Sequence, residues 1–391
     1  MFSSRTFWEL KPNQLSKRLS EKRQQGSRVL DLTESNPTRA EFCYPDDLLP
    51  ALACPKNLLY EPMARGIPSA IRAVVTYYQE KGIPIPEEQI FLASGTSECY
   101  SHLFRLLGNP GDQFLAPQPG YPLFEFLAKM ESINLDYYPL AFDGIWHIDF
   151  EELGNRLSPA TRSFLLVHPN NPTGSYIKGW EQERLLEICR ARSLALIVDE
   201  VFTDYALNKP ADAVDFPDGA DSGVLTFVLN GLSKVAALPQ MKLAWIAVTG
   251  PPDLRGEALE RLELIHDTFL SVSTPMQQAA PAFFQARRAI QPQIVVRLHR
   301  NLQCLSHAIQ GSAAQLLPVE GGWYAVVQVP RLQSEESWIL GLLEEEEVLV
   351  HPGYFFDFPQ EAYLVFSLLT PPALFDEGLQ RFCRYLNRLV A

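Results

Sequence analysis

The sequence predicts an α/β protein in two parts: a large domain with a mostly parallel sheet flanked by helices, and a smaller α+β domain formed by the C-terminal part and an N-terminal arm. Three observations predict it. Short apolar runs of strand length recur at residues 90–93, 113–117, 133–140, 163–167, 194–199, 224–230 and 243–248. Helical stretches such as GWEQERLLEICRARS lie between them, and strands alternating with helices pack as a parallel sheet covered on both faces. After about residue 250 longer helical stretches take over, before GGWYAVVQVP and YLVFSLLT return as strands. The 391 residues exceed one ordinary core, at about 100 to 200 residues per domain. We divide them into an arm at residues 1–45, which joins the small domain, a large ligand-binding domain at 46–275 and a small C-terminal domain at 276–391.

The arm holds VLDLTESNPT, a strand-like run that stops at the turn formers Ser35, Asn36 and Pro37. The Gly66/Pro68 break opens a helix with Ile71, Val74, Val75 and Tyr78 at i, i+3, i+4, i+7 spacing, ending near Gly82. Ile90 to Ala93 read as a buried strand and Ser97 to Leu107 as a helix, joined by Ser94, Gly95 and Thr96. Strand, small-residue turn and helix N-terminus together make an anion cradle, although plain capping chemistry uses the same residues. Ligands of parallel sheets bind beyond the carboxyl ends of the strands. NNPTG at 170–174, Asp199 and Lys234 each follow such a strand. Lys234 lies between two apolar runs, where a desolvated amine becomes a nucleophile towards a carbonyl; taken alone it reads first as a solvated loop lysine.

Composition narrows the function classes. With 47% hydrophobic and 20% charged residues the chain has the balance of an ordinary folded protein. A net charge of −13 argues against nucleic acid as a partner, while leaving room for a local cationic pocket. No apolar run approaches the roughly 20 residues of a membrane span, and MFSSRTFWELKPNQLSKRL lacks the apolar centre of a signal peptide; a cytoplasmic location is expected. The six cysteines are scattered singly, without metal-ligand spacing, and no metal site is expected.

SGTS at 94–97, PGYP at 119–122, NNPTG at 170–174, DEVF at 199–202 and SK at 233–234 occur in one order. In that order and spacing the chain resembles a fold-type I aminotransferase of the class I/II group, dependent on pyridoxal 5'-phosphate (PLP). GGWY at 321–324 and HPGYFF at 351–356 resemble the small-domain motifs of the same family. The resemblance implies that Lys234 carries the cofactor as a Schiff base and shuttles the substrate's α-proton. It puts Asp199 against the pyridine nitrogen, where a carboxylate favours the protonated ring. Asn171 donates to the ring oxygen, Tyr121 stacks on the ring, and Gly95, Thr96 and Ser97 cradle the phosphate. Tyr60 matches a tyrosine that reaches the phosphate of the neighbouring subunit, which implies a homodimer. The partners implied are an amino acid or amine donor and a 2-oxo acid acceptor.

Three positions depart from the family. Phe202 stands where a tyrosine usually donates to the ring oxygen. Lys242 stands where an arginine usually clamps the phosphate, so charge is kept and the bidentate fork is lost. The strand YLVFSLL places Tyr363 or Leu364 where an arginine usually pairs with the substrate carboxylate. Arg39, just beyond the LTESNPT segment, reads either as a surface arginine or as the residue that takes over that anion. Trp323, Tyr324, Tyr354, Phe355 and Phe356 read either as core packing or as the lining of an apolar pocket. The fold also serves other PLP reactions, a β-lyase or decarboxylase among them, and non-catalytic binding descendants.

Overall fold

The main sheet owes its depth to strands that are apolar on both faces. The computed structural model describes residues 1–216 and 222–390. Helix α1 (Gln14–Gln24) and the two-residue strand β1 (Leu30–Asp31) precede α2 (Pro68–Glu80) and β2 (Ile90–Ala93). There follow α3 (Thr96–Leu107), β3 (Gln113–Gln118), α4 (Phe124–Met130), β4 (Asn134–Phe142), β5 (Trp146–Ile148), α5 (Phe150–Arg156), β6 (Thr161–Val167), α6 (Gly179–Arg192) and β7 (Ala195–Asp199). Strand β8 (Thr226–Gly231), the single turn α7 (Leu232–Val235), β9 (Ala244–Thr249) and α8 (Pro252–Phe269) complete this part.

The eight strands lie in the order β2-β9-β8-β7-β6-β3-β4-β5. From β8 to β4 the pairs are parallel, whereas β9 is antiparallel to both neighbours and β5 is an antiparallel edge. In β7, Leu196 and Val198 enter one apolar cluster while Ala195 and Ile197 enter the other, as the period of two requires. The first cluster takes in Ala70, Ile71 and Val74 of α2; the second takes in Cys99, Leu103 and Phe104 of α3 and Leu262 of α8. Strands buried on both faces read as continuous apolar runs, which is why they stood out in the sequence.

Helix α9 (Thr274–Ile309) continues through Pro281 and Pro292. An interior proline costs about 3 kcal/mol, but Phe283, Ile290, Ile294, Leu298 and Leu305 are all buried along this helix. At about 1.5 to 3 kcal/mol for each buried side chain, packing outweighs the two breaks. Beyond it, β10 (Gln315–Leu316), β11 (Tyr324–Gln328), α10 (Glu335–Glu345), β12 (Val348–Leu349), β13 (His351–Pro352), β14 (Tyr363–Ser367) and α11 (Pro372–Val390) follow. An antiparallel sheet runs β10-β11-β14-β13.

The strand-like run of the arm is shorter than its composition suggests. Only Leu30 and Asp31 form a ladder, parallel to Val348 and Leu349. The chain then follows the end of β14, where the Ser367 N–H donates to Leu32 O (2.8 Å) and its hydroxyl to Glu34 O (2.6 Å). Gly378 of α11 makes room for this crossing, since an added Cβ would sit 2.8 Å from Leu32.

Candidate active site

The loops leaving the carboxyl ends of β2, β3, β6, β7 and β8 open on one side of the main sheet, because those strands run in the same direction. β9 runs the other way and brings its preceding segment to the same edge. Between them lies a cavity of about 320 Å³, lined by Gly95, Thr96, Ser97, Tyr121, Asn171, Asp199, Lys234 and Lys242 among others. These eight positions, scattered over 148 residues of sequence from Gly95 to Lys242, are brought together.

Lys234 sits on α7, one turn beyond buried β8. The carbonyls of this turn are held by side chains from three other segments. The Tyr205 hydroxyl donates to Lys234 O, Gln291 Nε2 to Val235 O at 2.7 Å, and the Tyr44 hydroxyl to Ala237 O at 2.8 Å. Lys234 Nζ lies 4.5 Å from the ring centroid of Trp323 and 5.6 Å from that of Phe202. Burial lowers its pKa to about 8, with the charge of Asp199 opposing.

Asp199 ends β7 and is 5% exposed. Burial raises its pKa to about 6, opposed by hydrogen bonds from the Val201 N–H and the Tyr100 hydroxyl and by the charge of Lys234. Asn171 is buried with its Oδ1 unpartnered, an arrangement that folding alone does not favour. The N-terminus of α3 presents Gly95, Thr96 and Ser97 to the cavity, where unpaired N–H groups and the helix dipole favour an anion. Gly95 is extended, and nothing lies within 4 Å of where its Cβ would be; neither its backbone nor its neighbours within the chain demand glycine. Tyr121 packs edge-on against Phe124 at 5.6 Å.

Other expected residues fall elsewhere. Tyr60 is 69% exposed and outside the cavity of its own chain. Arg39 takes the surface reading: Asn36 caps a 3-10 turn over Pro37–Arg39, Pro37 is buried, and Arg39 is exposed and does not line the cavity. Ser35 is the arm residue that lines it, together with Tyr324. Of the aromatic cluster Tyr324 alone lines the cavity, while Trp323 and Phe356 are buried and Tyr354 is largely exposed. Tyr363 stacks on Phe358 at 4.7 Å and Leu364 is buried, so neither reaches the cavity. Tyr100, Tyr205 and Ser35 are site residues that the sequence reading does not single out. Only Tyr100 carried a local signal, lying three residues after Ser97 on the same face of a helix.

The description "Aminotransferase class I and II" belongs to the family model that matches residues 28–383. The chain belongs to that family. Among relatives of this aminotransferase, the glutamate-pyruvate aminotransferase AlaA of Escherichia coli is 26% identical over 388 residues, covering 95% of this chain and 93% of the relative. An alanine aminotransferase of Mycobacterium bovis is 27% identical over 364 residues, covering 89% and 82%. Among solved structures, an aminotransferase from Escherichia coli superposes with a TM-score of 0.85 at 25% identity over 99% of this chain and 98% of the other. An alanine aminotransferase from Pyrococcus furiosus gives a TM-score of 0.88 at 22% identity over 99% and 100%, which speaks for the fold. The mostly parallel α/β sheet with a smaller C-terminal sheet, and amino-group transfer as the activity, therefore stand.

Proposed function

We propose that this aminotransferase uses pyridoxal 5'-phosphate, held on Lys234, to move an amino group between an amino acid or amine and a 2-oxo acid. The observation that carries the reading is one cavity lined by a lysine of lowered pKa, a buried aspartate and a helix N-terminus. The residues fit the cofactor. The α3 N-terminus with Lys242 would hold the phosphate, Tyr121 would cover the ring, and Asn171, buried in the cavity wall, would donate a carboxamide N–H to the ring oxygen. When bound, the cofactor supplies a ring that accepts electrons from the bond broken at the amine-bearing carbon.

The remaining chemistry falls to the chain. With a pKa of about 8, roughly a tenth of free Lys234 is uncharged at pH 7, enough to take up and return a proton at Nζ. Asp199, with a pKa of about 6, is mostly ionised at pH 7 and would hold a proton on the ring nitrogen. Phe202 offers no donor, so Asn171 is left to serve the ring oxygen. Lys234 and Lys242 are the only cationic side chains lining the cavity among the described residues. With Lys242 on the phosphate, a substrate carboxylate would meet Ser35 and Tyr324 or groups of a second subunit. The names of the relatives make glutamate, alanine and pyruvate the first compounds to test.

We place the enzyme in the cytoplasm as a homodimer. All six cysteines are free, and no helix among the described residues is long and apolar enough to cross a membrane. Leu58, Leu59, Tyr60 and Met63 expose large apolar surface near one another in sequence, which suits a subunit contact with Tyr60 offered to the neighbour's cavity.

Borohydride reduction and peptide mapping test the cofactor site, with a pyridoxyl group expected on Lys234 and nowhere else. Lys234→Ala should abolish transfer from glutamate to pyruvate without unfolding the protein. Label on another lysine would refute the site. Release of ammonia or carbon dioxide without amination of the acceptor would instead indicate a lyase or decarboxylase.

A further inference from the structure

We propose that Tyr100 is a positioning residue for Asp199: its phenol fixes one carboxylate oxygen, favours the ionised form, and ties that carboxylate to the helix that forms the anion cradle. This rests on the cofactor reading above for its role in turnover, but not for the contact itself. The Tyr100 hydroxyl donates to Asp199 Oδ2 at 2.9 Å, and the Val201 N–H donates to Oδ1 at 3.0 Å. Each carboxylate oxygen therefore has one donor from the protein. Both residues are buried, Tyr100 at 1% and Asp199 at 5% exposure. Asp199 is the only acceptor the phenol has among the described residues.

The phenol is held firmly. Its ring packs against Phe124 at 5.1 Å and Phe104 at 6.1 Å, and its backbone belongs to the second turn of α3. Ser97 and Tyr100 lie at i and i+3, so one face of α3 serves the cradle at its tip and the carboxylate one turn further on. An anion drawn onto the N-terminus of α3 and a cation drawn to Asp199 are thereby kept at a fixed separation by one rigid element. The energetic effect has a definite sign. A buried carboxylate is driven towards its neutral form, and a hydrogen bond to the charged form opposes this more strongly than one to a neutral acceptor. Were the phenol satisfied by some group other than Asp199, removing its hydroxyl would lower stability and leave the titration of Asp199 where it was.

The test is the carboxyl titration of Asp199 in the cofactor-free protein, followed by infrared difference spectroscopy with the band assigned by Asp199→Asn. Tyr100→Phe should raise the midpoint by about one to two pH units. Replacing Tyr100 by 3-fluorotyrosine, a stronger donor, should lower it, and that variant decides the matter if Tyr100→Phe does not fold. In the reconstituted enzyme, Tyr100→Phe should weaken PLP binding by about two- to tenfold at pH 7 and not at pH 9, where Asp199 is ionised in both proteins. Midpoints that agree within 0.3 unit, roughly the precision of the measurement, would overturn the proposal even if PLP binds Lys234. Conversely, a midpoint that follows Tyr100 in a protein that takes up no PLP would sustain this inference and remove the cofactor reading.

Discussion

Replacing Lys178 by methionine should destabilise the protein by about 3 to 5 kcal/mol, the usual cost of stranding one partner of a buried ion pair. The Lys178 and Glu320 side chains are 3% and 9% exposed, and Nζ lies 3.0 Å from both carboxylate oxygens. Nζ also donates to Trp146 O at 3.2 Å, and the Tyr176 N–H donates to Glu320 Oε2 at 2.7 Å. After Lys178→Met the Glu320 carboxylate keeps one backbone donor and loses its counter-charge where water scarcely enters. Adding Glu320→Gln removes the charge but retains an acceptor for Tyr176, so the double variant should recover to within about 1 to 2 kcal/mol of the parent. Urea unfolding of the four proteins at pH 7, read by fluorescence and circular dichroism together, supplies the cycle. Glu320 precedes the Gly321–Gly322 bend that leads to Trp323 and Tyr324, so the single variant should also lose activity through a displaced wall beside Lys234. A single-variant loss below about 1 kcal/mol would refute the reasoning, because it would mean that the pair is hydrated and screened.

Three further outcomes are expected. Burial lowers His168 to about 4, and its Nδ1 accepts the Ile177 N–H while Nε2 meets Val214 O at 2.9 Å; protonation would set two donors face to face. The folded protein therefore binds fewer protons than the unfolded chain below the ordinary 6.5, and stability falls from there towards pH 4, by about 2 kcal/mol at pH 5 for this residue alone. Burial likewise lowers His266 to about 3 and His351 to about 4. Asp199 and Glu200, raised by burial to about 6 and 7, act in the opposite sense and soften the fall; urea midpoints that rise steadily from pH 7 to 5 would contradict the balance. Gly95→Ala should cost no more than about 1 kcal/mol of stability, since its methyl meets nothing in the chain, yet weaken PLP binding at least tenfold by equilibrium dialysis because the methyl enters the cradle. Arg39→Ala should leave KM for glutamate unchanged within about twofold; an increase of 10-fold or more, the loss of a charge-assisted contact, would restore Arg39 to the site.

What the sequence disclosed depended on how local the cause was. The strands ending at Ala93, Val167 and Asp199 are buried on both faces along Ile90–Ala93, Phe164–Val167 and Ala195–Val198, so those runs are apolar throughout and visible without a partner. The polar residues that follow them are visible for the converse reason: a strand end is where the chain is free to change composition. Arg39 is hard to place from sequence because it ends a 3-10 turn that opens on a buried Pro37, and neither feature writes a period into three residues. The contact of Tyr100 with Asp199 was illegible for another reason: it spans 99 residues, and a tyrosine on the inner face of an amphipathic helix reads as core. The same holds for Trp323, which looks like one more buried aromatic until the fold brings its ring centroid to 4.5 Å from Lys234 Nζ. Aromatic residues are where sequence reading is weakest, because one side chain fills volume, donates a hydrogen bond and offers a negative ring face. Which of these matters is decided only by the neighbour. In this chain the neighbours are Asp199 and Lys234, two of the three charged side chains that line the cavity, so the residues hardest to assign from sequence are those set to tune its charges.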